Sequence, residues 1–147
     1  MSTKDKVKTK TNGYNTNLAS EYYVLSALYR LDFDAYITLG NKKSIDIILN
    51  LNDKKQITID VKGLKGNGMF PIDNVNTDIK KPNHYIVFVN YLNKIKDPTS
   101  VPEIFILPHN EIKKYIYINP KGNRKGIYPS RLRKECSKYK NNWAILN

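Results

Sequence analysis

Residues 44–65 read SIDIILNLNDKKQITIDVKGLK, two alternating runs on either side of a short polar break. In the second run Ile57, Ile59 and Val61 alternate with Thr58, Asp60 and Lys62, which gives an extended strand one aliphatic face and one polar face. In the first run Ile45, Ile47 and Leu49 alternate with Ser44, Asp46 and Ile48. Asn50 to Lys55 supplies the Asn and Asp that tolerate turn geometry, so the stretch predicts a β-hairpin. Folding about Asp53 sets Asp46 opposite Asp60 and Ser44 opposite Lys62. Directly opposed residues hold their Cβ atoms about 4.5–5.5 Å apart, and two carboxylates that close repel unless a cation lies between them. Spacing alone thus puts Asp46, Asp60 and Lys62 where they can share one metal ion. The competing reading is a solvated hairpin face with an ion pair worth under about 1 kcal/mol. Against that reading, Asp is depleted in strands, and both aspartates interrupt runs rich in Ile and Val.

Upstream, Thr16 or Asn17 can cap a helix, and Leu18, Tyr22, Leu25, Leu28 and Tyr29 recur at helical spacing as far as about Leu31. Glu21 shares a stripe with positions 18, 25 and 28, so its carboxylate points partly inward, where an unpaired charge is costly. It is then paired, protonated or near a metal, unless it only complements the positive end of the helix. Residues 34–39 read as a strand ending at Gly40. Residues 63–83 hold three glycines and two prolines without periodicity, which predicts an irregular loop, either a disordered surface loop or a flap carrying Lys65 toward a phosphate.

HYIVFVNYL, residues 84–92, is almost continuously apolar and predicts a strand buried on both faces. EIFIL, residues 103–107, predicts another strand, and residues 109–116 a short helix. Residues 116–129 are punctuated by Gly and Pro and rich in Lys and Arg. Ser130 is placed to cap a basic helix over 131–139, and Trp143 to Leu146 are apolar enough to dock on the core. The organisation expected is a flexible basic arm over 1–15 and a single domain over 16–147.

At 147 residues one domain of this kind buries about two-thirds of its unfolded surface. No apolar run approaches the roughly 18–20 residues needed to cross a bilayer, and the N-terminus lacks the apolar core of a secretory signal. A single cysteine, Cys136, fits a reducing, cytoplasmic compartment. With only His84 and His109 and no Cys/His cluster, a structural zinc site is not expected. Twenty-five Lys and Arg against 13 Asp and Glu give a net charge of +12. A genome rich in A and T would inflate lysine, but it would lift the acidic residues too, so the asymmetry points to a polyanion, nucleic acid before membrane surface. Lys121, Arg124, Lys125, Arg131, Arg133, Lys134 and Lys138 can track a phosphate backbone, or simply form a solvated face.

A helix with Glu21, a strand, Asp46 on the next strand and Asp60-Val61-Lys62 on the following one together resemble the PD-(D/E)xK nuclease superfamily. Within it, the chain is similar to small members related to Holliday-junction resolvases and restriction-like homing endonucleases. The likeness covers residues 16–65. Ile45 stands where the pattern has Pro, and Asp60 supplies the third acid in place of Glu, one methylene shorter. The resemblance implies an α/β fold with a restriction-endonuclease-like core, a mixed central sheet flanked by helices, and hydrolysis of DNA phosphodiester bonds with Mg²⁺ or Mn²⁺. It implies that Asp46 and Asp60 hold the metal, a hard cation suited to carboxylate oxygens, with the Val61 carbonyl completing the shell. Lys62 is implied to orient or deprotonate the attacking water and to stabilise developing charge, and Glu21 to bind through water or position a second ion. The alternative is a catalytically silent nucleic-acid-binding module or subunit of the same fold. Cutting both strands by symmetric half-sites calls for a homodimer or a partner subunit.

Overall fold

A computed structural model of the chain describes residues 3–40, 42 and 44–147, with side chains from residue 13 onward. Helix α1 (Thr3–Arg30) leads into a meander of β1 (Asp34–Ile37), β2 (Ile47–Asn52) and β3 (Lys55–Leu64). The short strand β4 (Phe70–Pro71) lies in the connection to β5 (His84–Asn90), and β6 (Glu103–Pro108) follows. A 3-10 turn at His109–Tyr115, strands β7 (Tyr117–Ile118) and β8 (Lys125–Ile127), and helix α2 (Pro129–Glu135) come next. Two more 3-10 turns, Ser137–Tyr139 and Trp143–Leu146, close the chain.

The protein is α/β, with a mixed five-stranded sheet in the order β1-β2-β3-β5-β6 flanked by helices. Its neighbours are antiparallel except β3 and β5, which run parallel. The hairpin has the register its sequence dictates, with Ile47 opposite Ile59 and Leu49 opposite Ile57, symmetric about residue 53. The turn is tighter than the polar run suggested, closing between Asn52 and Lys55 with an irregularity between Asn50 and Asn52. The ladder stops at Ile47. Asp46 and Ser44, expected opposite Asp60 and Lys62, lie beyond the last pair, and Ser44, with φ 59°, turns out of the strand.

Each face of the sheet covers its own core. On one face Ile47, Leu49, Ile57, Ile59, Val87 and Val89 pack under Val24, Leu25 and Leu28 of α1, and Trp143, Ile145 and Leu146 dock there as expected. On the other, Ile86, Phe88, Phe105 and Leu107 meet Phe70, Ile72, Ile127, Leu132 and Cys136 from a small sheet, β4-β8-β7, and from α2. Strand β5 feeds both cores with alternate residues, which is why its sequence is apolar without a break.

Several expectations need correction. Helix α1 does not begin at Thr16 or Asn17: the backbone of residues 3–15, read as a mobile arm, is helical. Residues 1 and 2 and the arm's lysine side chains lie outside the described residues. Thr16 lies within the helix on its buried side, so tertiary contact overrides its capping preference. The C-terminal end of α1 closes with Asp32 at φ 62° and the Phe33 N–H on the Leu28 carbonyl at 3.0 Å, a Schellman arrangement. The 63–83 segment is not a loose loop, because Phe70, Ile72 and Val75 are buried in the second core. Helix α2 starts at Pro129, without a side-chain cap from Ser130, and ends at Glu135.

Candidate functional site

Where β2 stops, β3 continues for several residues with β5 on one side and no β2 partner on the other. Asp46 sits at that break. Its backbone N–H donates to the Ile59 carbonyl at 2.8 Å, and its Oδ2 accepts the Val61 N–H at 2.7 Å, so a carboxylate replaces the next backbone rung. In an extended strand the N–H and C=O of one residue face the same neighbour, so the Val61 carbonyl is also directed toward this open edge. Asp60 and Lys62 emerge on the polar face of β3, with Lys62 Nζ 3.2 Å from Asp60 Oδ2 and 3.2 Å from Asn74 Oδ1.

Glu21 arrives from α1, on the opposite face, through the gap beyond the β2 terminus. Gly63 allows this. A Cβ there would lie 3.1 Å from the Thr16 carbonyl oxygen and closer still to Ser20 Oγ, so only glycine lets α1 settle this low on β3. With the helix at that height, Asn17 and Glu21, one turn apart, border the same cleft of about 400 Å³ as Asp46, Asp60, Val61 and Lys62. Ser44, Pro71, Asp73 and Asn74 form its outer wall.

The electrostatics are those of crowded carboxyls. Asp60 is 3 % exposed, and its carboxyl is pushed up to about 7, chiefly by burial, with the charge of Asp46 adding and the Lys62 ammonium opposing. Glu21 is also pushed up to about 7, first by burial, then by the charge and hydrogen bonding of Asp46, then by the charge of Asp60. Both carboxyls therefore keep a proton close to neutral pH. A divalent cation would relieve the same repulsion. The donors present, carboxylate oxygens and a backbone carbonyl, are the hard ligands that Mg²⁺ or Mn²⁺ prefers. Among the described residues no group of three or more Asp, Glu, His or Cys, these carboxyls included, stands arranged so that it could hold a metal ion. Asp46 Oδ2 is held by Val61 and Asp60 Oδ2 by Lys62, so an incoming cation would have to displace the ammonium from Asp60.

The structure thus brings Glu21, Asp46, Asp60, Val61 and Lys62 together in one cleft. It does not bring the basic residues there as a group. Lys65 lies one residue past β3 in an adjoining depression. Arg124 faces Asp73 at 3.7 Å, and the Lys125 N–H donates to Asp73 Oδ1, which holds the β7–β8 hairpin against the outer wall of the cleft. Arg133 makes a two-pronged ion pair with Glu103 at 2.8 and 2.9 Å, and Arg131 is paired with Glu135 and stacked on Tyr115. Lys121 and Lys134 are exposed.

Neither histidine borders the cleft. His84 and His109 pack edge to face at 5.5 Å, and burial pushes His84 down to about 4, so its imidazole is neutral. Sequence reasoning missed Asn17 and Asn74. The first could have been found one turn before Glu21; the second carries no local signal, because its contact with Lys62 spans a loop. Comparison with protein-family models, with curated proteins and with solved structures returns no match.

Proposed function

We propose that the chain is a metal-dependent endonuclease that hydrolyses DNA phosphodiester bonds, on a restriction-endonuclease-like variant of the α/β fold. The observation that carries this reading is the convergence of Glu21, Asp46 and Asp60 on one cleft with the Lys62 ammonium beside them. Carboxyls buried beside one another so that two resist ionisation are unfavourable for a purely structural corner, and perturbed groups of this kind cluster at functional sites.

Asp46, Asp60 and the Val61 carbonyl would hold Mg²⁺ or Mn²⁺, with Glu21 bonded through water. The ion would supply neutralisation of phosphate oxygens and a lowered pKa for water. The chain's own groups do the rest. Asp46, pinned by the Val61 N–H, presents its carboxylate at a fixed height. Lys62, which Asn74 would still hold once a cation had replaced it on Asp60, keeps an ammonium at the site, where it orients a water and counters charge building on the phosphate. Purified protein with Mg²⁺ or Mn²⁺ should cut or nick some form of DNA, and Asp60→Ala should abolish it. Full activity in that variant overturns the assignment.

One observation favours a second reading, a nucleic-acid-binding module without catalysis: Lys62 already neutralises Asp60, and Asp46 is already satisfied by a backbone donor. Calorimetric titration with Mg²⁺ and Mn²⁺ separates the two. Millimolar or tighter binding that disappears in Asp60→Ala supports the nuclease, and no heat of binding supports the module.

A further inference from the structure

We infer that one strand of nucleic acid lies in a groove leading away from the carboxylate cleft, between the Gly13–Asn17 stretch of α1 and the 93–97 loop, held by Lys65, Lys94 and Lys96. The inference rests on the nucleic-acid reading above and deepens it by assigning the path of the strand.

Three depressions run into one another. The cleft shares Asn17, Gly63 and Pro71 with a neighbouring depression of about 440 Å³, which in turn shares Thr16 and Lys65 with one of about 750 Å³ lined by Asn93 to Asp97. Each is of the size that takes a drug-sized molecule, comparable to one or two nucleotides. Together they make a trough that continues the cleft along the end of β3.

Of the cations on the β7–β8 hairpin, α2 and the turn before β7, Arg131, Arg133, Arg124 and Lys113 are engaged by Glu135, Glu103, Asp73 and Asp78, while Lys121 and Lys134 are exposed but border none of the three depressions. Lys65, Lys94 and Lys96 are exposed and make no ion pair among the described residues. The acid on the trough wall, Asp97, is turned back into its own loop, accepting from the Thr99 N–H at 2.9 Å and the Thr99 hydroxyl at 2.6 Å. Unpaired ammonium groups along a groove that ends at a phosphate-directed site fit a polyanionic strand.

The loop that carries Lys94 and Lys96 is built as a fixed frame. Leu92 and Asn93 take left-handed φ values of 55° and 62°, an unfavourable pair that the surroundings enforce. Asn90, itself buried, accepts the Leu92 N–H through Oδ1 at 3.0 Å, and the Asn93 N–H donates to the Lys65 carbonyl at 2.6 Å. Gly66 has no room for a Cβ, which would fall 2.6 Å from the Asn93 backbone nitrogen. The lysine loop is therefore locked to the same strand that carries Asp60 and Lys62.

The test measures binding of fluorescein-labelled oligo-dT and of a duplex of equal length by anisotropy, in EDTA so that nothing is cut, over a range of salt. The full chain is compared with the triple variant Lys65→Gln, Lys94→Gln, Lys96→Gln, and with Lys54→Gln, Lys55→Gln at the opposite end of β3. The groove variant should bind single strand at least ten-fold more weakly and lose about 2 from its log–log salt slope, at roughly 0.7 per phosphate contact. The control should match the parent protein. Unchanged affinity in the groove variant, an equal loss in the control, a larger loss for duplex than for single strand, or equal competition by polyglutamate each overturns the proposal. No binding of either probe by the parent protein overturns the nucleic-acid reading itself, and the groove with it; loss of cutting in Asp60→Ala with the groove variant binding normally overturns the groove alone.

Discussion

Replacing Asp60 by Asn should stabilise the folded chain above neutral pH, although it removes the acid most central to the cleft. Folded Asp60 keeps its proton until about pH 7, whereas an unfolded aspartate releases it near 3.8. Between those values the folded state binds more protons than the unfolded one. The contribution of this group to stability is therefore complete below pH 3.8 and is lost as pH rises through 7. The full difference, about three pH units at 1.36 kcal/mol each, sets a ceiling near 4 kcal/mol. The charge of Asp60 is one cause of the Glu21 shift, and Asn leaves the burial of Glu21 untouched, so about 2 kcal/mol is the expected gain at pH 8. For a chain of this length that corresponds to a rise in Tm of about 4–8 °C. Thermal melts of both proteins in EDTA from pH 4 to pH 9 measure it. The gap between the two should be closed near pH 4, widen steadily from there to about pH 7, and stay constant above it. A variant no more stable than the parent at pH 8, or a gap independent of pH, refutes the picture of mutually destabilised carboxyls.

The other expectations use the same protein. At pH 8, 10 mM Mg²⁺ acting at a millimolar site should raise the stability of the parent by about 1.4 kcal/mol and leave Asp60→Asn unmoved, as read by Tm. Gly63→Ala should force α1 off β3, lowering stability by about 1–3 kcal/mol and lifting Glu21 out of the cleft. Adding Ser20→Ala should recover only part of that loss, because the Thr16 carbonyl remains in the way; complete recovery would show that the helix height is set elsewhere. Arg133→Ala leaves Glu103 with Lys140 at 3.8 Å as its remaining ionic partner and should reduce urea stability by about 1–2 kcal/mol. Oligonucleotide affinity should stay as it was; a parallel fall in affinity would return α2 to the binding surface.

The parts of this structure legible in the sequence are those that repeat a short pattern over enough residues. The β2–β3 hairpin was readable to its register, because strict alternation about Asp53 admits only one pairing that buries Ile47, Leu49, Ile57 and Ile59 together. Glu21 was readable as an acid on a buried stripe. What escaped was short or non-local. Strands β7 and β8 hold two and three residues, too few to show a period, and β8 depends on Gly126 leaving space for Met69 and the Phe70 carbonyl. Phe70 and Ile72 alternate for one step only and Val75 breaks the pattern, yet all three are buried because the second core needs a lid. The basic C-terminal residues looked free on paper. Glu135, four residues after Arg131, was a visible partner, but Glu103 lies thirty residues before Arg133 and only folding brings it near.

Cys136 gives the molecule a built-in reporter. It is the sole thiol of the chain, wholly shielded within the second core, and burial holds it above its ordinary pKa. A thiol reagent therefore has no route to it unless that half of the protein opens. The rate of labelling in native buffer, compared with a denatured sample, gives the free energy of that excursion without any engineered dye. Because β4 and the 63–83 segment belong to the same lid, the labelling rate also tells how often the wall bearing Asn74 swings away from Lys62.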